Sequence, residues 1–221
     1  MPLTLRAATS ADAAILTDIY FSAFTIDAIS QLVFPRSPTP GMRNFPAWKW
    51  WYDSVIEELE EENSYFLCIY DSDTPKQDVV AYAKWVGPTD DGFFGSSGVL
   101  PEWPAGADIK IANHFFGNLV ARHAAIMEGK RHWYLEIICT RPEYQGKGAG
   151  GKLLRWGIEK SDADRTETYL EASPDGLPIY EHLGFKEVER LVVELEGKKE
   201  GVLAEKEFVE VFMVRPIQKL K

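Results

Sequence analysis

The run Thr140-Arg-Pro-Glu-Tyr-Gln-Gly-Lys-Gly-Ala-Gly-Gly-Lys-Leu-Leu154 holds the residues whose types and spacing bear most directly on chemistry. Trp133–Cys139 ahead of it is short, aromatic and β-branched and reads as a strand, and a helix-compatible segment follows through Ser161. A helix that starts directly after a glycine turn aims unpaired backbone N–H groups, and the positive end of its dipole, at whatever lies above it. Such a place binds anions, and a diphosphate fits it. Gly146, Gly148 and Gly150 carry no Cβ, so a ligand can approach the main chain and the turn can adopt positive φ. Gln145 and Lys147 add a side-chain donor and a positive charge.

Two devices of this kind must be separated. Gly146-x-x-x-x-Gly151-Lys152 follows a nucleoside-triphosphate loop up to its last position, where Leu153 replaces the Ser or Thr that would hold Mg²⁺. Gln145-x-x-Gly148-x-Gly150, in contrast, is a complete Gln/Arg-x-x-Gly-x-Gly/Ala signature. Its surroundings agree with it. Ile137-Ile-Cys-Thr-Arg-Pro142 supplies an apolar strand and a proline ahead, Tyr169-Leu-Glu-Ala-Ser173 a following strand, and Ile179-Tyr-Glu-His-Leu-Gly-Phe185 a Tyr-x-x-x-Gly-Phe helix end. On these residues the chain resembles the GNAT (GCN5-related N-acetyltransferase) superfamily, most closely over residues 133–188.

The resemblance implies a mixed α/β (α+β) domain with a mostly antiparallel central sheet, fourth and fifth strands that splay apart, and flanking helices. It implies acetyl-CoA as co-substrate and direct transfer of its acetyl group to an amine, with a non-catalytic acyl-CoA-binding module as the alternative. Gln145, Gly146, Lys147, Gly148, Ala149, Gly150 and Gly151 would cradle the pyrophosphate. The backbone at Cys139 and Thr140 would pair with the pantetheine arm as an added strand does. Ser173 stands where many relatives carry an Asn that contacts the cofactor. Tyr180 occupies the general-acid position, and a phenol is protonated at neutral pH and can donate to the departing sulfur. Glu136, a carboxylate on an apolar strand and costly to bury unless paired or used, is the candidate base, with Glu171 its rival.

The elements that must position these residues are legible around them. Leu3–Ala8 reads as a first strand and Thr9-Ser-Ala-Asp12 as caps for a helix whose apolar face runs from Ala13 to Phe24. A breaker cluster makes residues 35–46 a loop, and Trp48–Leu59 resumes helical spacing. Phe21, Phe34, Phe45, Trp48 and Tyr52 could line an acceptor wall or simply pack in the core. Ser64–Tyr70 and Val79–Val86 read as strands, residues 87–104 as loop, and residues 107–128 as an extra helix with His114 and His123 at its surface or rim. Thr168–Ser173 is a strand and Leu177–Leu183 a short helix. Lys186–Glu196 and Glu207–Val214 close the fold as an antiparallel pair around the turn at 197–201.

Composition sets the outer bounds. A chain of 221 residues with 45% hydrophobic and 13% aromatic content is expected to form one domain, residues 1–221, with a full core. A net charge of −10 with pI near 5.0 argues against a nucleic-acid groove; an acidic surface can draw in a cationic small-molecule amine as partner, or serve only solubility. The four histidines show no ligand spacing, so no metal is expected. Cys68 and Cys139 lie in apolar runs without a disulfide framework, and neither a secretory leader nor a membrane span is evident, which together suggest the cytoplasm.

Overall fold

The computed structural model of the chain describes residues 2–39, 41–74, 77–89, 100–195 and 206–218. Its centre is a seven-stranded sheet. The strands are β1 (Leu3–Ala7), β2 (Ser64–Asp71), β3 (Val79–Val86), β4 (His132–Thr140), β5 (Glu167–Ala172), β6 (Lys186–Glu194) and β7 (Glu207–Arg215), in spatial order β1-β2-β3-β4-β5-β7-β6. Every neighbouring pair is antiparallel except β4 and β5.

The parallel pair is also the short one. β4 and β5 pair from His132–Glu167 to Leu135–Leu170, and β4 then continues to Thr140 with no partner on that side among the described residues. The anticipated splay is therefore a loss of hydrogen bonding after Leu135. On its other side β4 follows β3, but the register jumps from Lys84–Ile137 to Trp85–Leu135, which leaves Glu136 as the extra residue of a bulge.

Helices cover both faces. α5 (Ala149–Asp164) and α6 (Leu177–His182) pack with Trp85, Leu153, Leu154, Tyr180 and Phe185 in one cluster. α1 (Ala13–Ala23), α2 (Ala28–Val33), α3 (Pro46–Glu58) and α4 (Ile109–Met127) build the other layer, with Leu16, Phe34 and Phe115 turned inward. β3 is buried along its whole length, as an inner strand covered on both faces must be. It nonetheless carries a lysine, Lys84.

Several sequence expectations are refined. The short helix α2 was not anticipated; Asp27 caps it, its side chain accepting from the Ser30 N–H at 2.7 Å. The extra helix is α4, and it starts at Ile109, where Asp108 caps it. The closing pair forms, but β7 rather than β6 lies beside β5. Residues 87–89 and 100–104 are irregular, whereas 90–99 and the expected turn at 197–201 lie outside the described residues. His123 is not at the surface: it is buried, stacks on Tyr169 with ring centroids 4.0 Å apart, and lies 2.7 Å from His132, Nε2 to Nε2. The buried face of α4 is Ile111, Ala112, Phe115, His123 and Met127, whereas Ile109 is exposed, and burial holds His123 neutral, with its pKa down to about 2.

Candidate active site

The glycine turn is built as its residue types demand. Gly146 and Gly148 take φ of +70° and +89°, a region that side chains rarely adopt, and Gly148 is the N-cap of α5. Beyond the adjoining residues of the chain, no atom of the described residues lies within 4 Å of where a Cβ would stand at either position. Among the described residues no side chain caps the helix, so none is an acceptor for the N–H groups of its first turn. Gly150 and Gly151 are already helical, and a Cβ at Gly150 would make only ordinary contact with Ile138 at 3.9 Å. Lys147 lies over the Tyr144 ring, 4.9 Å from its centre, and Gln145 turns back to donate to the Thr140 carbonyl at 3.3 Å.

Behind the turn, the unpaired edge of β4 runs down into a cavity of about 450 Å³. Leu135, Glu136, Ile137 and Ile138 of β4 line it, as do Glu171, Ser173 and Tyr180. Aromatic side chains from the helical layer and the irregular segment before α4, among them Phe34, Trp51, Trp103 and Phe115, form much of the opposite wall. Of the aromatics considered from the sequence, Phe34 lines the cavity. Trp48 and Tyr52 instead stack on each other, with ring centres 5.2 Å apart.

Cys139 is buried among α1, α3 and β3, and burial pushes its thiol up, which leaves only its backbone for a ligand. Thr140 ends the open edge. Tyr180 is buried on α6 and lines the cavity, where burial first and the charge of Glu210 second raise its phenol above the usual value. It stays protonated throughout the neutral range.

The two carboxylates expected from the sequence meet near the splay. Glu136, on the bulge, lies 2.8 Å from Lys84 Nζ, and Glu58 of α3 lies 3.0 Å from the same nitrogen. Burial works against the Lys84 ammonium, but the two carboxylates outweigh it and raise its pKa. Glu171 accepts from the Tyr169 hydroxyl at 2.9 Å, with Tyr134 as a second donor. Burial still lifts it to about 7, and the charge of Glu136 adds to the lift.

Sequence reasoning missed Lys84, Glu58 and Glu210. Two of them had a signal. Lys84 interrupts the apolar run of β3, and Glu210 alternates with Phe208 and Phe212, which puts it on the buried face of β7. Glu58 sits in an acidic run that looks solvent-facing, and only the approach of Lys84 distinguishes it.

Known proteins agree with this geometry. The profile of the acetyltransferase (GNAT) domain matches residues 114–200. An uncharacterized N-acetyltransferase of Schizosaccharomyces pombe is 24% identical over 60% of this chain, and the match spans 57% of that protein's own length. An acetyltransferase of Stachybotrys chartarum is 25% identical over 90% of this chain and 86% of its own. Among solved structures, arylalkylamine N-acetyltransferase 2 from Aedes aegypti superposes with a TM-score of 0.66 at 14% identity, covering 99% of this chain and all of that one. With its signature turn, its splayed sheet and this domain match over residues 114–200, the chain is similar to the GNAT acetyltransferases.

Proposed function

We propose that residues 1–221 form one acetyl-CoA-dependent N-acetyltransferase domain, with α4 as an added helix, and that it acetylates the amine of a small molecule directly. The observation that carries this reading is continuity: the open edge of β4 leads from the first turn of α5 to a cavity that holds a protonated phenol and carboxylates. Gly146, Lys147, Gly148, Ala149, Gly150 and Gly151 would hold the pyrophosphate. Gln145 would support the turn through Thr140, and the Cys139–Thr140 backbone would hold the amide-bearing arm. Ser173 offers a hydroxyl at the same cavity. Acetyl-CoA, when bound, supplies an activated thioester.

Tyr180 is the general acid in this reading, giving its proton to the departing sulfur. The acceptor must lose a proton before it can attack. Glu136 takes that proton by position, since the bulge presents it beside the open edge. Glu171 is favoured by basicity, because a carboxylate near 7 matches a general base at neutral pH. Two cysteines that are both free and buried suit a reducing compartment, and we place the protein in the cytoplasm.

A panel of amines screened for CoA release with a thiol-reactive dye tests the reading. Tyr180→Phe is expected to lower kcat by about tenfold or more while the acetyl-CoA KM stays the same. Acetyl-CoA binding with no turnover on any amine, unchanged by Tyr180→Phe, would instead make the protein an acyl-CoA-binding module.

A further inference from the structure

One face of the sheet carries a row of ionisable side chains. Lys84 of β3, Glu136 of β4, Glu171 of β5 and Glu210 of β7 come from four strands adjacent in the sheet, and all four line the cavity. Their charges do not balance. Lys84 is already shared between Glu136 and Glu58, and Glu171 is held by two phenols and its own backbone, with no cation among these partners.

Glu210 holds less. It is 7% exposed, and no described residue gives it a hydrogen bond or an ion pair. The charges that act on it belong to two further carboxylates, Glu171 and Asp27. Phe208 and Phe212 stand two residues away on either side along β7. An isolated buried carboxylate is costly, and what relieves it is a proton or a cation. Its field reaches Tyr180, so a cation beside Glu210 would lie within reach of the group assigned as proton donor. The aromatic wall opposite suits an apolar stem better than a second charge.

We propose that Glu210, together with Glu171, is the ammonium subsite of the acceptor, selecting a primary amine that enters protonated on an apolar or aromatic stem. This rests on the acetyltransferase reading for its place in the reaction, but not for its test. Glu210 acts here as a binding residue that recruits the charged acceptor before the proton is passed on, and charge complementarity of this kind sets specificity.

The test is isothermal titration of the full chain, without acetyl-CoA, using 2-phenylethylamine against 2-phenylethanol and hexylamine against hexan-1-ol. In each pair the two ligands share a stem and differ in charge. For at least one pair the wild-type protein is expected to prefer the amine by about tenfold or more. Glu210→Gln should bring that preference to within about threefold and leave the alcohol's affinity unchanged. A wild-type ratio near one for both pairs, or a Glu210→Gln variant that keeps the wild-type preference, overturns the proposal. If Glu210→Gln does not fold, Glu171→Gln carries the same measurement with the same two outcomes. A chain that prefers the amine but binds no acetyl-CoA would refute the acetyltransferase reading and leave the subsite standing. A chain that turns over amines while Glu210→Gln keeps the preference would do the reverse.

Discussion

Glu171 makes the residue-scale chemistry measurable through pH. Its pKa stands at about 7 in the fold against an ordinary 4.5, chiefly because burial disfavours the charge. The folded chain therefore binds that proton more tightly than the unfolded chain does. The stability this lends is fully present below pH 4.5 and is lost as the pH rises through 7. Glu171→Gln should accordingly flatten the fall of Tm with pH between about 5 and 7.5, a change readable by thermal denaturation across buffers. If Glu171 is also the base, the acid limb of kcat/KM will have an apparent pKa near 7 and will disappear in the same variant. An unchanged limb would leave the proton to Glu136, whose ion pair with Lys84 holds it beside the open strand edge.

At the scale of elements, two glycines do different work. Gly157 lets α5 lie close on β3, and a Cβ there would overlap the Trp85 indole. Gly157→Ala gains helix propensity but overpacks this contact, which typically costs about 1–3 kcal/mol. Differential scanning calorimetry should show a Tm lowered by several degrees, with little change in the acetyl-CoA KM of the folded fraction. Gly148 behaves in the opposite way. Space around it is open, so Gly148→Val meets no clash, only the strain of a side chain at φ +89°. Circular dichroism should remain native-like, whereas the acetyl-CoA KM should rise about tenfold or more, because the added Cβ and methyl groups take the phosphate's place. An unchanged KM would count against the cradle. The splay belongs to this scale too. It needs no special residue, only the end of pairing after Leu135–Leu170 while β4 continues.

At the scale of the whole molecule, the charge of −10 would act on the two substrates of the proposed reaction, which are of opposite sign. In the proposed reaction a protonated amine would be drawn toward an acidic protein with a carboxylate-lined cavity, while an anionic co-substrate would be repelled except at the first turn of α5. Raising NaCl from about 20 to about 200 mM should therefore lower kcat/KM for the amine by a few-fold and leave that for acetyl-CoA unchanged or higher. A parallel fall in both would argue against steering by charge.

Much of this was written in local pattern. The glycine turn, its helix and the flanking strands are short-range features in which residue type fixes backbone conformation, so Gly146, Gly148 and Tyr180 could be named and placed on their elements from the sequence. The pairing of Lys84 with Glu58 and Glu136 joins residues far apart in the chain, and a propensity or a period carries no record of such a meeting. The burial of His123 likewise depended on which side of α4 faces Tyr169. Above all, β7 inserts beside β5, and that strand order alone brings Glu210 next to Glu171 and its field to Tyr180. The sequence by itself determined the glycine turn and the kind of sheet that carries it, because those follow from neighbours along the chain. The tertiary structure decided which charges share the cavity, because electrostatic partnership depends on distance through space and on the water that folding removes.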